Sequence, residues 1–290
     1  LNNIIYIMNY MEQDYYIKNT FSKFIEISGE DRTNFIQGII TNDINKCKDK
    51  NDCIYSCFLS PQGKFLADFF ITNLKNCYLL EINEKFFESF LIKLQIYKLR
   101  SKVEFKENIN LISFVFFCKN QPPINKNINL YSDPRNVNLG IKAYIDKKSN
   151  DLEMITPLKE LSFDFYKEKL MKNLVPNSPT DLVENKSLLL ENNFQNINAI
   201  DWDKGCYIGQ EITARMKYRS LLKKKIYVLE LISGNIDKGD AIVEKDINFG
   251  NVISKINNYI LCLLKINLVE SKNSNKEIIK IGPSTQVKFL

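Results

Sequence analysis

At Lys224 the texture of the sequence changes. From there to the C-terminus, short runs rich in Ile, Val and Leu recur at regular spacing: Ile226 to Ile232, Ala241 to Glu244, Asn251 to Ile256, Ile260 to Leu268 and Glu277 to Phe289. Glycine and polar turn residues separate them. A strand that short cannot bury a face by itself, so the runs must pair and close, and the pattern predicts a small all-β barrel. Upstream the periodicity is mixed. Ser22 to Gly29 alternates as a strand, and Arg32 to Ile40 reads as a short helix after turn signals. Cys53 to Ser60 and Lys64 to Asn73 flank Pro61-Gln62-Gly63, which predicts a hairpin. A strand at Cys77 to Ile82 precedes Glu84 to Leu99, where Phe86, Phe90 and Leu94 fall at helical spacing. Strands follow at Lys102 to Lys106 and Leu111 to Cys118. Lys119 to Asn129 reads as a loop, and Tyr131 to Asp146 as short strands. Leu158 to Leu174 is predicted as a second amphipathic helix, Val175 to Asn198 as a long loop and Tyr207 to Met216 as a last helix. With 290 residues the chain exceeds what one core usually covers. The expected fold class is therefore α+β followed by a C-terminal β-barrel.

Composition removes whole classes of chemistry. There is no histidine, so no Ser/His/Asp triad, no Cys/His dyad, no His-bound zinc and no proximal haem ligand is available. Acid–base or nucleophilic work falls to Cys, Lys, Tyr, Asp, Glu or a cofactor. Net charge is +6, yet only Arg32, Arg100, Arg135, Arg215 and Arg219 are arginines. That poverty argues against a dedicated nucleic-acid binder. Seven dispersed cysteines with no CxxC read as reduced thiols rather than a disulfide framework. A cluster of Cys47, Cys53 and Cys57 is weighed against buried strand cysteines, and burial is preferred. The longest apolar run, Leu111 to Cys118, is too short to span a bilayer. The first residues carry no signal-peptide or transit-peptide pattern, Met8 or Met11 is a candidate start, and the first ten residues are assigned no structure. Neither a P-loop nor GxGxxG occurs, so nucleotide cofactors are not expected.

Chemistry concentrates at Asp201-Trp202-Asp203-Lys204-Gly205-Cys206-Tyr207-Ile208-Gly209-Gln210-Glu211, which holds the only Trp. A Cys at the start of the expected helix, two residues after a Lys, has two reasons to favour its thiolate. Gly205 permits close approach of backbone or ligand. The competing reading is a buried Cys in a tight turn, with Gln210 and Glu211 as exposed helix positions.

KGCYIGQE, Lys204 to Glu211, resembles the signature of the YgfZ family, folate-binding relatives of the glycine-cleavage T-protein (aminomethyltransferase). Phe35-Ile36-Gln37-Gly38 with Thr41-Asn42-Asp43, Leu59 to Lys64, Leu99-Arg100-Ser101-Lys102-Val103, Asp133-Pro134-Arg135, Glu191 and Ala214-Arg215 resemble further family segments in order. The resemblance covers residues 22–230. Lys169 to Pro176, Ser220, and Lys217-Tyr218 depart from the usual pattern. The resemblance implies a three-domain T-protein-like ring: 15–118 as a folate-binding subdomain, 119–220 as the subdomain carrying the motif, and 221–290 as the barrel. It implies tetrahydrofolate as cofactor, with Glu191 accepting from pterin N–H groups, a basic rim from Arg215, Lys204 or Arg100, and Tyr207, Gln210 and Asn42 as further contacts. Cys206 is the implied functional thiol, with Lys204 beside it, and no metal site is expected. The implied role is support of iron–sulfur cluster assembly or maintenance, including clusters of tRNA-modifying enzymes. Partners are reduced folate and iron–sulfur proteins or their assembly factors; the chain is expected to be a monomer without membrane or nucleic-acid contacts. The expected compartment is the cytoplasm, with the mitochondrial matrix as alternative. T-proteins carry paired aspartates where this chain has Ala67-Asp68. Folate-dependent aminomethyl transfer, with Asp68 as catalytic residue, is thus the alternative, and an RNA-binding module the second.

Overall fold

The computed structural model describes residues 13–125, 128–219, 221–273, 278–282 and 284–290. The expectation for the first ten residues, with the candidate starts Met8 and Met11, lies outside them. Two compact units form. One holds the described residues up to Ile36 with 43–55 and 69–166; the other holds 37–42, 56–68 and 167–290. Among the described residues ten strands precede the barrel: β1 (Tyr15–Asn19), β2 (Ser22–Ser28), β3 (Cys53–Leu59), β4 (Phe65–Asn73), β5 (Tyr78–Asn83), β6 (Glu104–Glu107), β7 (Leu111–Phe117), β8 (Leu130–Ser132), β9 (Ile141–Asp146) and β10 (Lys159–Leu161). They make two five-stranded sheets, ordered β10-β1-β7-β9-β8 and β3-β4-β5-β2-β6. Among the described residues no helix is long and apolar enough to cross a membrane.

In the first unit the helix Glu84–Lys98 starts where the Asn83 side chain accepts from Lys85 N at 3.0 Å, satisfying an orphan donor. It buries Phe86, Phe87, Phe90 and Leu94, the positions whose spacing predicted it. The interior also carries charge. Lys142 Nζ lies 2.9 Å from Glu81 Oε2, with both side chains almost fully buried. Burial alone would raise the Glu81 carboxyl, but Lys142 and hydrogen bonds from Ser113 and Ser22 outweigh it and hold it below the ordinary range. Arg135 forks onto Asp133, with Nε donating to Oδ1 at 3.0 Å and Nη2 to Oδ2 at 2.8 Å, and Nη2 also donates to Tyr166. The Phe70 ring lies 4.1 Å from the Lys142 ammonium and 4.7 Å from the Arg135 guanidinium.

In the second unit, β11 (Lys224–Ser233), β12 (Ala241–Glu244), β13 (Ile247–Ile256), β14 (Tyr259–Lys265), β15 (Ile278–Ile281) and β16 (Thr285–Phe289) form the order β12-β13-β14-β11-β16-β15. The end strands β12 and β15 lie against each other, so the sheet nearly closes as a barrel. Leu229, Ile242, Val252, Ile260, Leu264 and Val287 fill its centre. The architecture is thus α+β with a C-terminal barrel-like sheet, as the periodicity predicted.

Several boundaries differ. The helix expected over Leu158 to Leu174 is shorter, Phe163–Lys172, because Lys159–Leu161 pairs in parallel with Tyr15–Ile17 as a strand. The strand expected to reach Leu268 stops at Lys265, and Ile266–Asn273 is helical. The long loop contains a helical turn at Ser178–Asp181 and a 3-10 turn at Leu190–Asn192. The helix expected over Tyr207 to Met216 runs over Gln210–Tyr218, because Gly209 sits at φ 82 and cannot continue a right-handed helix.

Lys142→Met should destabilise the protein by about 3–5 kcal/mol, because it leaves the Glu81 carboxylate buried without its counter-ion. Urea unfolding measures this, and pairing the change with Glu81→Gln should recover part of the loss. The Glu81 contribution is present above its unfolded pKa of about 4.3 and is lost as pH falls through its lower folded value.

Candidate functional site

Three stretches of the second unit meet: residues 37–42, the hairpin 56–68 and the motif region 198–213. Backbone and small polar side chains join them. Thr41 Oγ1 donates to Ala199 O at 2.6 Å and accepts from Cys57 N at 2.9 Å. Ser56 Oγ accepts from Asn42 N at 2.9 Å, and Asn42 Nδ2 donates to Asn198 O at 2.8 Å. Asp201 N donates to Thr41 O and Ile208 N to Gly38 O. The hairpin turn packs on the motif through two glycines. A Cβ on Gly209 would stand 2.5 Å from Ser60 O, and one on Gly63 would stand 2.8 Å from the Ile212 Cβ. Both glycines have positive φ, so this close approach admits no other residue without strain.

Lys204 is the central strut. It is buried, and its ammonium donates to the carbonyls of Gln37 at 2.8 Å, Ile40 at 2.7 Å and Asn42 at 2.9 Å. Gln37 lies in the last turn of the helix Arg32–Ile39, where carbonyls have no partner further along the helix, and a cation there satisfies them. The Asp201 carboxylate accepts from the backbone N of Asp203 and Lys204, which shapes the turn leading to Cys206.

Cys206 is the one exposed thiol of the seven cysteines. It stands between buried Lys204 and buried Tyr207. The helix begins four residues after Cys206 rather than at Tyr207, and all three donors of Lys204 are engaged by carbonyls. What distinguishes Cys206 is exposure. Burial pushes Cys47 up to about 12 and Cys118 up to about 11, and it raises Cys53, Cys57, Cys77 and Cys262 as well. Among the described residues no three potential metal ligands gather, Cys47, Cys53 and Cys57 included.

The other sequence-derived residues divide. Asn42 and Tyr207 belong to the Lys204 cluster, the Lys204 ammonium lying 5.0 Å from the Tyr207 ring. The Tyr207 hydroxyl is buried without a hydrogen-bond partner, and burial, then the nearby Cys57, raises its pKa. Glu191 is half-buried on its 3-10 turn; burial lifts its carboxyl, opposed by Lys224 and Lys64. Asp68, on β4, accepts from Ser178 Oγ at 2.6 Å, a partner 110 residues away that no sequence signal indicated. Gln210 opens the helix Gln210–Tyr218, and Arg215 is exposed and paired with Glu211. Arg100 lies in the first unit, exposed just after Leu99. Sequence reasoning also missed the structural parts of Thr41, Ser56 and Asp201. An orphan buried hydroxyl and a half-buried carboxylate flanked by ammonium groups suit a ligand that both donates and accepts, as a pterin does.

Lys204→Met should cost about 3 kcal/mol, through three lost charged hydrogen bonds and three stranded carbonyls. Chemical denaturation measures this. Mild maleimide labelling of the native parent, read by mass spectrometry, should modify Cys206 before any other cysteine.

No family model matches the chain. Curated proteins do. The iron-sulfur cluster assembly factor IBA57 homolog, mitochondrial, of Mycosarcoma maydis is 28% identical over 219 residues, 71% of this chain and 54% of that protein. Its namesake in Neurospora crassa is 30% identical over 233 residues, 72% of this chain and 52% of that protein. The Mus musculus iron-sulfur cluster assembly factor IBA57, mitochondrial, is 26% identical over 229 residues, 71% of this chain and 63% of that protein. The chain spans about half the length of the first two relatives. Among solved structures, glycine cleavage system aminomethyltransferase T from Bartonella henselae superimposes with a TM-score of 0.73 over 96% of this chain and 85% of that one, at 10% identity. The chain therefore has the T-protein fold, and in sequence it is similar to mitochondrial iron-sulfur cluster assembly factors.

Proposed function

We propose that this chain supports the assembly or maintenance of iron–sulfur clusters, that it does so as a tetrahydrofolate-binding protein, and that Cys206 is its functional thiol. The observation that carries the reading is the exposed Cys206 thiol on a turn anchored by buried Lys204, in a chain whose curated relatives are named iron-sulfur cluster assembly factors. Those names also support the mitochondrial matrix over the cytoplasm. The three-part division at 15–118, 119–220 and 221–290, and a monomeric state, belong to the same proposal, as does service to tRNA-modifying enzymes. For the folate, Tyr207 would donate its unpartnered hydroxyl, Glu191 would accept from pterin N–H groups, and Lys64 and Lys224 would offset charge near Glu191. Bound tetrahydrofolate supplies one-carbon chemistry; the chain's own residues bind and orient it. Asn42, Gln210, Arg100 and Arg215 are proposed as further contacts. Aminomethyl transfer remains the second reading. It is favoured by the T-protein fold, although fold alone does not assign chemistry, and Asp68 stands there beside buried Ala67.

Tetrahydrofolate at a hundredfold excess over its dissociation constant should stabilise the protein by about 2.7 kcal/mol. Thermal unfolding with and without ligand reads this; an unmoved midpoint at millimolar ligand rejects the folate assignment. Turnover in a reconstituted glycine-cleavage assay would promote the transferase reading instead.

Cys206→Ala should fold with an unchanged thermal midpoint yet fail to restore iron–sulfur enzyme activity in cells lacking the native protein. Cys53→Ala should restore it, apart from a packing loss on the order of 1 kcal/mol. Full complementation by Cys206→Ala would mean that the thiol has no functional role.

A further inference from the structure

The positive charge of this chain is not spread evenly. Between Asp203 and Lys225, and apart from buried Lys204, the sequence sets six basic residues, Arg215, Lys217, Arg219, Lys223, Lys224 and Lys225, against two carboxylates, Asp203 and Glu211, and Lys224 also lies near Glu191. Glu211 is already paired with Arg215. Arg215, Lys217, Arg219, Lys223 and Lys225 are all exposed. Arg215 to Arg219 close the helix Gln210–Tyr218, and Lys224 opens β11. Leu221 N bonds back to Met216 O, so the chain folds over at that end rather than running away from it. The region also holds two of the chain's five arginines and Tyr218 at 68% exposure, and the chain's only tryptophan, Trp202, immediately precedes it. Arg, Trp and Tyr are the residues that dominate protein–protein hot spots.

We propose that this surface docks an acidic face of a partner protein and so brings that partner alongside Cys206. The proposal rests on the reading of the chain as a cluster-assembly factor. Trp202 precedes Cys206 by four residues, so its Cα lies within roughly 14 Å of that of the thiol residue. Long-range attraction by a net-positive patch speeds and orients encounter with a carboxylate-rich surface. The aromatic geometry separates this from single-stranded nucleic acid, which needs free ring faces for stacking. Here the Lys217 ammonium covers the Trp202 ring at 3.8 Å, and Tyr218 meets that ring edge-on with centroids 6.3 Å apart. Both rings are engaged with each other and with a cation, which suits a buried interface anchor better than a base platform.

The test uses the full chain with two fluorescent probes, a Glu- and Leu-rich peptide and an oligouridylate of matching charge, at low and raised salt. The peptide should bind, weaken as salt rises, and slow maleimide labelling of Cys206. Arg219→Glu with Lys223→Glu should lose about tenfold or more in affinity, and the neutral pair Arg219→Gln with Lys223→Gln less. Thermal midpoints of all variants control for folding. Absent peptide binding, equal binding by the charge-reversed chain, or tighter binding of the oligouridylate would each overturn the proposal, the last in favour of nucleic acid. Complementation separates the two levels. If the parent chain fails to restore iron–sulfur enzyme activity, the function reading falls; if parent and charge-reversed chains restore it equally, only the docking surface falls.

Discussion

A buried ammonium group needs an acceptor for each of its three protons, and the second unit is arranged around that demand at Lys204. The carbonyls of Gln37, Ile40 and Asn42 meet it. Those carbonyls belong to the end of a helix and the turn after it, which would otherwise be left short of donors. Each side thus solves the other's problem. The segment 37–42 is held against the motif, Thr41 and Asn42 complete their bonds to 198–201, and the turn carrying Cys206 is anchored on both flanks. A lysine so engaged acts as a strut.

The first unit shows the same logic with higher stakes. Two cations, Lys142 and Arg135, are buried with their own carboxylates, Glu81 and Asp133, and both lie near Phe70. Isolated, any of these charges would cost several kcal/mol to bury. Paired, and supplied with hydroxyl donors from Ser22 and Tyr166, they are tolerated. Such networks tie strands far apart in sequence: Glu81 on β5 and Lys142 on β9 are joined by charge where no strand pairing joins them.

Sharing the T-protein fold at 10% identity places the backbone, not the chemistry. The functional reading therefore stands on particular side chains. An exposed thiol, an orphan buried hydroxyl and a half-buried carboxylate all sit in the second unit. The cationic end of the helix Gln210–Tyr218 follows the motif directly in sequence. Lys217, near that end, covers the Trp202 ring at 3.8 Å, and Trp202 precedes Cys206 by four residues, which brings the charge back toward the segment that carries the thiol.

Local order was legible in the sequence wherever a local rule applied. The period of Phe86, Phe90 and Leu94 marked a helix, Pro61-Gln62-Gly63 a hairpin, and the regular short runs after Lys224 a barrel. The motif around Cys206 was legible too, because its residue types are unusual together. Long-range pairing was not. Lys159–Leu161 had helical periodicity and became a strand because Tyr15–Ile17 offered it a ladder. Asp68 found Ser178, and Lys204 found the carbonyls of 37–42. Periodicity and turn chemistry act over a few residues, so the sequence by itself determined the elements and the region of the site. Hydrogen-bond and charge partners are chosen among groups brought together only by folding, so the tertiary structure alone decided which groups each site residue meets.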